Sequence, residues 1–154
     1  MLPGRHILRA WFVAAVIVSA ASWAPQSLAR NTEYHLSIAD VQHHPDYAAK
    51  VGDDVAFYFG AQRTPPIRQN FGEFVSNKKS NSFGKSDEAA CAWAMLSALK
   101  EFRDRATSLG GNAVVGVISY YQKQAQSSET EYDCHAGGFV AGVALKGTVV
   151  KLAQ

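Results

Sequence analysis

The sequence has few of the features that identify a chemical activity. It contains two cysteines in 154 residues and no CxxC pair, which argues against a zinc ribbon or a thioredoxin-type redox motif. It also contains neither GxSxG nor HExxH, the signatures of α/β-hydrolases and zinc proteases. No pair of carboxylates has a spacing typical of acid–base catalysis. The sequence therefore predicts a protein that is not an enzyme.

No apolar run is long enough for a transmembrane helix. The longest, Ala10 to Ala21, falls short of the ~20 residues that a membrane span requires. Arg5 and Arg9 flank it on one side, and Ser27-Leu28-Ala29 follows it with small residues at the two positions that a signal peptidase reads. This pattern predicts a signal peptide over residues 1–29 and a periplasmic or secreted protein; a retained membrane anchor is the alternative. No lipobox cysteine follows.

An excess of one charge is also missing. The chain has 15 basic and 13 acidic residues, and cleavage before Arg30 would remove Arg5 and Arg9 from the basic side. The exported domain would then be close to neutral, without the basic stripe of a nucleic-acid-binding surface. We expect no nucleic-acid partner and no transmembrane segment after cleavage.

Both cysteines, Cys91 and Cys134, lie in the exported part of the chain. An even number of cysteines in an exported protein favours an intramolecular disulfide. The bridge would join the start of a helix to the start of the last strand. A redox or metal role for the two thiols is the alternative.

The segment from Ser86 to Tyr121 has the clearest structural pattern. Ser86 is a suitable N-cap with Asp87 and Glu88 behind it, and Gly110-Gly111 is a suitable helix end. Between them, apolar residues recur at spacings of three and four, which predicts one buried helix face. The members of this stripe are Cys91, Met95, Ala98, Phe102, Ala106 and Leu109.

Alternating or β-branched residues predict strands on both sides of this helix. We expect an α+β fold in two layers, an antiparallel sheet with one long helix packed on one face. Residues 30–154 would form one exported domain, with residues 86–154 as its helix and β-hairpin core and residues 30–85 as a less regular N-terminal part. The predicted strands are Tyr34–Ile38, Val55–Phe59, Gly72–Val75, Ala113–Tyr121 and Tyr132–Leu152, the last interrupted by glycines, with Ser76–Ser82 as a loop.

Two stretches resemble a known family. They are Leu109–Gly116 (LGGNAVVG) and Val143–Lys151 (VALKGTVVK), which are similar to the YbjQ-like, putative heavy-metal-binding family and to the Rcs stress-sensor lipoprotein that resembles it in fold. Gly111 stands where that family usually has alanine. The whole chain looks closer still to small exported bacterial proteins labelled "excinuclease ATPase subunit". The resemblance implies a two-layer α+β domain and, for YbjQ relatives, a ring-like homo-oligomer, but no catalytic residue.

The ATPase label has little support in the sequence. Gly84-Lys85-Ser86 imitates the end of a P-loop, but Lys79 stands where the motif requires its first glycine. We therefore expect neither ATP hydrolysis nor DNA repair, and interpret Ser86 as a helix cap. Basic residues near a helix N-terminus could still hold an anion; the candidates are Lys78, Lys79, Lys85 and Ser86.

The histidines do not form a metal motif. His43 and His44 are adjacent, so they cannot easily point at one ion, and no HxxxH spacing occurs. The sequence predicts no specific metal site and no cofactor. The histidines that could contribute to one are His35, His43, His44 and His135, and Asp40 and Asp46 are the carboxylates near them in the sequence.

Small apolar residues on the sheet face away from the helix suggest an interface. They are Val140, Ala144, Val150, Val115 and Val117. Either this face binds a second copy or another envelope protein, or the N-terminal segment with Val55, Phe57 and Phe59 covers it. The preferred function is a non-enzymatic envelope protein that binds a partner or self-assembles; the alternative is a metal- or anion-binding periplasmic module.

Overall fold

The structure, a computed structural model, describes residues 29–153. The predicted signal peptide lies outside these residues except for Ala29. Within these residues, six strands and three helices follow one another, with a short 3-10 turn at Tyr121–Lys123. They are β1 Thr32–Ser37, α1 Ile38–Gln42, α2 Tyr47–Lys50, β2 Ala56–Phe59, β3 Ile67–Asn81, α3 Asp87–Leu109, β4 Ala113–Ser119, β5 Glu131–Ala136 and β6 Val140–Leu152.

The six strands form one mixed sheet, and α3 packs on one of its faces. The order is β1-β5-β6-β4-β2, and β3 also pairs with β6. All pairs are antiparallel except β2 with β4. The structure thus confirms the α+β fold with one long helix, while the parallel β2–β4 pair makes the sheet mixed. We call the face opposite α3 the far face.

The helix α3 begins and ends as its sequence predicts. The hydroxyl of Ser86 accepts a hydrogen bond from the Ala89 N–H, and Gly110 adopts the left-handed conformation at the C-terminal end (φ 79°). The predicted stripe is buried except for Leu109, whose exposure is 38%. Because the helix lies over β3 and β6, further residues of α3, including Leu96 and Leu99, are buried as well.

The predicted disulfide is present. Cys91 in the first turns of α3 and Cys134 in β5 are bonded, with their Cα atoms 5.8 Å apart, and both are fully buried. The bridge fixes the start of the helix to the β1–β5 side of the sheet.

The predicted loop Ser76–Ser82 is wrong, because Ser76–Asn81 belongs to β3 and pairs with β6 along its whole length. The polar residues that suggested a loop alternate between the two faces. Ser76 donates a hydrogen bond to the Ala98 carbonyl, and Ser80 donates one to the Ala90 carbonyl. An apolar side chain would otherwise be expected on the inner face of β3. These two hydroxyls can lie there because they bond backbone carbonyls of α3.

The predicted strand Tyr132–Leu152 is divided into β5 and β6 by a turn at Gly137–Phe139, where the sequence interrupts it with glycines. Phe139 projects from this turn into solvent with 70% exposure. At the other end of the fold, Ser37 provides the cap of α1, since the Asp40 N–H donates to the Ser37 hydroxyl.

In the part of the chain that the structure describes, the far face lacks the continuous apolar patch that the sequence suggested. Val117 faces the main core because a bulge at Gly116 (φ 60°) shifts the register of β4. Val150 is buried in a small second cluster with Ala113 and Leu152, against which Tyr58 packs. Val55 and Phe59 enter the main core instead of covering the far face.

Among residues 29–153, no helix is both long enough and apolar enough to cross a bilayer.

Candidate functional site

Two strands share one edge of β6 and leave an opening between them. The strand β3 occupies the other edge of β6 from Val140 to Leu152. On the shared edge, β5 pairs only with Ala141 and Gly142, whereas β4 pairs with residues 145–150. In the space between, the Tyr120 N–H donates to the Ala144 carbonyl, and the chain then leaves the sheet.

The segment that leaves the sheet is a tight, strained turn. Backbone hydrogen bonds between Ser119 and Gln126 close it. Inside it, Gln122 (φ 49°) and Lys123 (φ 64°) are in succession in the left-handed region, which is unfavourable for residues other than glycine. Strained backbone of this kind is concentrated at functional sites, so the turn is a reason to examine the neighbouring side chains.

The register of β1 against β5 brings four polar side chains onto the far face. Glu33 lies opposite His135, and His35 lies opposite Asp133. Directly opposed residues of an antiparallel pair point to the same side of the sheet. The intervening residues of both strands, Tyr34 and Cys134 among them, point instead towards α3 and the core.

Glu33, His35 and Asp133 form a compact cluster. One potential ligand atom from each lies within 4.8 Å of those of the other two. Nδ1 of His35 is 2.8 Å from Oδ1 of Asp133, and this hydrogen bond raises the pKa of His35 above its ordinary value. The Asp133 N–H donates to the buried hydroxyl of Ser119 at 2.8 Å, which ties the cluster to the end of β4.

His135 lies under the strained turn. Its ring stacks on Tyr121, with centroids 3.4 Å apart and planes 16° from parallel. Its Nδ1 is buried without a hydrogen-bond partner in the described part of the chain. Desolvation lowers the pKa of His135, although the nearby Glu33 and Asp133 act in the opposite direction. A neutral imidazole with an unused nitrogen thus lies next to the cluster.

A recess of about 370 Å³ opens beside the cluster, and we call it the cluster groove. Its walls combine the two carboxylates with amide side chains and the stacked rings. The lining residues are Asn31, Glu33, Tyr121, Gln122, Gln124, Gln126, Asp133 and His135.

The histidines considered from sequence do not meet. The ring of His43 bonds the Ala39 carbonyl at the end of α1, and His44 packs edge-on against Trp93 of α3. His135 lies on the far face of the sheet, away from α3. Asp46 is near His44 at 3.7 Å, but within residues 29–153 only Glu33, His35 and Asp133 form a group of three possible metal ligands.

The sequence contains a signal for this cluster that an HxxxH spacing does not capture. Glu33 and His35 are two residues apart in β1, and Asp133 and His135 are two residues apart in β5. Residues at this spacing share one face of a strand. Two such pairs on neighbouring strands therefore bring four ligand-type side chains together.

The four residues proposed for anion binding are also separated. Lys78 points to the helix side, where its Nζ is 3.0 Å from Glu101. Lys79 points to the far face, and Ser86 is engaged as the helix cap. Lys85 approaches the Asn81 carbonyl in the turn before α3. No common site forms from these residues.

Comparison of this chain with protein-family models, with curated proteins and with solved structures finds no match. The resemblance to the YbjQ-like family and to the Rcs stress-sensor lipoprotein stays a prediction.

Proposed function

We propose that this protein is a non-enzymatic, exported binding module whose ligand is a divalent transition-metal ion such as Zn²⁺. The observation that carries the proposal is the convergence of Glu33, His35 and Asp133 on the far face. Imidazole nitrogen and carboxylate oxygen are established zinc ligands, and three protein ligands leave further positions for water.

The distances support coordination of one ion by all three residues. Ligand atoms lie about 2.0–2.2 Å from Zn²⁺ at the corners of a tetrahedron, so two of them are about 3.3–3.6 Å apart. The 2.8 Å between Nδ1 of His35 and Oδ1 of Asp133 and the 4.8 Å bound on the cluster lie on either side of this separation. Shifts of about 1–1.5 Å close the difference, and Glu33 and His35 are exposed side chains that can make them.

Charge supports a divalent cation in particular. The carboxylates of Glu33 and Asp133 would balance two positive charges, with a neutral imidazole as the third ligand.

The hydrogen bonds of the other histidines support binding over catalysis, because His43 contacts a carbonyl and His44 a backbone N–H. Within residues 29–153, no serine or threonine hydroxyl bonds a histidine as a nucleophile would.

The proposed location is the periplasm or the extracellular medium. The buried Cys91–Cys134 disulfide supports it, because such bonds persist in oxidising compartments. The proposed cleavage before Arg30 would also retain a structural residue, since the Arg30 guanidinium donates two hydrogen bonds to Asp87 and one to the Gly137 carbonyl.

Calorimetric titration of the oxidised protein with Zn²⁺ tests the metal proposal. We expect one ion per chain, and we expect His35→Ala to weaken binding by at least about tenfold, the lower end of the loss seen when a metal-site contact is removed. His43→Ala is the matched control, because that exposed histidine lies outside the cluster. Absence of binding by the wild type, or equal losses in the two variants, would show that the cluster is only an ion pair.

A second candidate function is self-association through an exposed aromatic pair. Phe83 and Phe139 lie on neighbouring loops, with exposures of 71% and 70%, and their rings stack with centroids 6.2 Å apart. A flat pair of this kind can pack against itself across a two-fold axis. Sedimentation velocity should then show an oligomer that the Phe83→Ser/Phe139→Ser double variant dissociates; a monomeric wild type contradicts this candidate.

A further inference from the structure

A second recess lies on the far face, on the β6 side of His135. Its volume is about 400 Å³, within the range of small-molecule sites. Gly142 and Ala144 of β6 form its floor, β3 forms one wall through Asn77 and Lys79, and the strained turn forms the other through Tyr121 and Gln122. We call this recess the far-face trough.

Among the described residues, the polar side chains that line the trough include hydrogen-bond donors and no carboxylate. Within the described chain, the side chains of Lys79, Asn77 and Gln122 make no hydrogen bond or ion pair, and Nδ1 of His135 is also unpartnered. Arg30, at one end, is already engaged by Asp87. Among the described residues that line the trough, Lys79 is therefore the cation without a partner, and the amide groups of Asn77 and Gln122 line the same recess.

The floor is open because its residues are small. A Cβ built on Gly142 would meet nothing closer than 3.7 Å, the distance to Cγ of Lys79. Packing with the rest of the chain therefore does not require glycine here, and a larger side chain would occupy the trough. Tyr121, whose ring stacks on His135, lines the same recess as this floor, and the recess leaves room for an apolar or aromatic body.

We propose that the far-face trough binds a small carboxylate with an apolar body. The carboxylate would pair with Lys79 and accept hydrogen bonds from Asn77, and the body would lie over Gly142 and Ala144 beside Tyr121. One free cation with an apolar floor fits a singly charged carboxylate better than a phosphate dianion, which favours two or more cationic partners. This site goes beyond the proposed metal function and uses none of the three proposed metal ligands.

Titration with phenylacetate and its neutral analogue phenylacetamide, followed by amide chemical shifts, tests this site. We expect shifts at Gly142 and Ala144 and a preference for the acid of about tenfold or more, because a hydrogen bond to a charged group is the stronger one. Lys79→Gln should remove the preference. Lys78→Gln is the matched control, since the adjacent lysine lies on the opposite face and pairs with Glu101. Gly142→Val should block both compounds.

Several outcomes would overturn the inference. They are equal affinity for the acid and the amide, no saturable shifts in the wild type, or the same loss in Lys78→Gln as in Lys79→Gln. If Gly142→Val fails to fold, the comparison of the two lysine variants still decides. His35→Ala separates this site from the metal site: it should lose Zn²⁺ and retain phenylacetate, so either proposal can fail without the other.

Discussion

At the scale of single residues, Asp87 shows how one side chain can serve several parts of the fold. It occupies the first turn of α3, where a carboxylate is favoured by the helix dipole. It also accepts two hydrogen bonds from Arg30 and one from the Tyr34 hydroxyl. The segment before β1, the strand itself and the start of the long helix therefore meet at one carboxylate.

We predict that Asp87 makes stability depend on pH in the acidic range. Hydrogen bonds from Arg30 and Tyr34 lower the pKa of Asp87 in the folded state. Its contribution is therefore complete above the unfolded-state pKa of about 4, begins to fall below that value, and is lost as the pH falls through the lower pKa of the folded state. The difference in Tm between the wild type and Asp87→Asn should be largest near neutral pH and should shrink below about pH 4.

Thermal unfolding of both proteins across the acidic range provides the measurement. Glu88→Gln is the control at the neighbouring position, because its carboxylate makes no ion pair with the described residues. If the difference in Tm between the wild type and Asp87→Asn stays constant from neutral to acidic pH, Asp87 is not the source of the pH dependence.

At the scale of elements, the two faces of β6 have different requirements. The inner face, with Ala141, Val143, Leu145 and Val149, is packed against α3. Gly147 continues this face at a point of close approach, where a Cβ would lie 2.9 Å from Cγ1 of Val114. Gly142, on the far face, has no such constraint. Close packing therefore requires a glycine at position 147, whereas it does not require one at position 142.

We predict opposite effects for alanine at these two glycines. Gly147→Ala should lower the free energy of unfolding by about 1–3 kcal/mol, because the added methyl overpacks the core. Gly142→Ala should have no cost and can add about 0.5–1 kcal/mol, because alanine restricts the unfolded chain without a clash. Urea denaturation measures the free energy of unfolding of both variants. Similar losses in the two would show that close packing does not distinguish the two faces of β6.

The misassigned strand β3 has an equally physical explanation. Its second half, Ser76–Asn81, is polar on both faces, and polarity normally indicates a loop. The inner face can be polar here because the Ser76 hydroxyl lies within hydrogen-bond distance of two acceptors, the Ala98 carbonyl and Glu101, and Lys78 pairs with Glu101. Only the position of α3 supplies these partners, so the local sequence could not reveal the strand.

At the scale of the whole molecule, the disulfide joins parts that are distant in the chain. Cys91 and Cys134 are 43 residues apart, and the closed loop contains most of α3, the whole of β4 and the strained turn. Cross-linking a loop of this length lowers the conformational entropy of the unfolded chain. In the chain-entropy treatment, this raises the free energy of unfolding by about 4 kcal/mol. This is a large share of the ~5–15 kcal/mol that stabilises a typical domain.

We predict that the Cys91→Ala/Cys134→Ala double variant loses about 4 kcal/mol of unfolding free energy, with a further loss from the missing sulfur atoms in the core. Urea unfolding of the wild type with and without a reductant separates the two effects, because reduction opens the loop and retains both sulfurs. A reduced wild type as stable as the oxidised one would mean that the bridge contributes little.

The sequence alone determined the features that depend on neighbours in the chain. The cap at Ser86, the left-handed Gly110 and the buried stripe of α3 follow from helix periodicity and local hydrogen bonding. The Cys91–Cys134 pairing also followed, because a chain with two cysteines allows only one intramolecular bridge.

Only the tertiary structure decided what distant segments do together. It made Ser76–Asn81 a strand, turned Val117 into the core through the Gly116 bulge and placed β2 parallel to β4. It also brought Glu33 and His35 to Asp133, about a hundred residues later in the chain. Such contacts depend on strand register, and a one-residue slip would move each side chain to the other face. The spacing within each strand was visible in the sequence, but the pairing of the two strands was not.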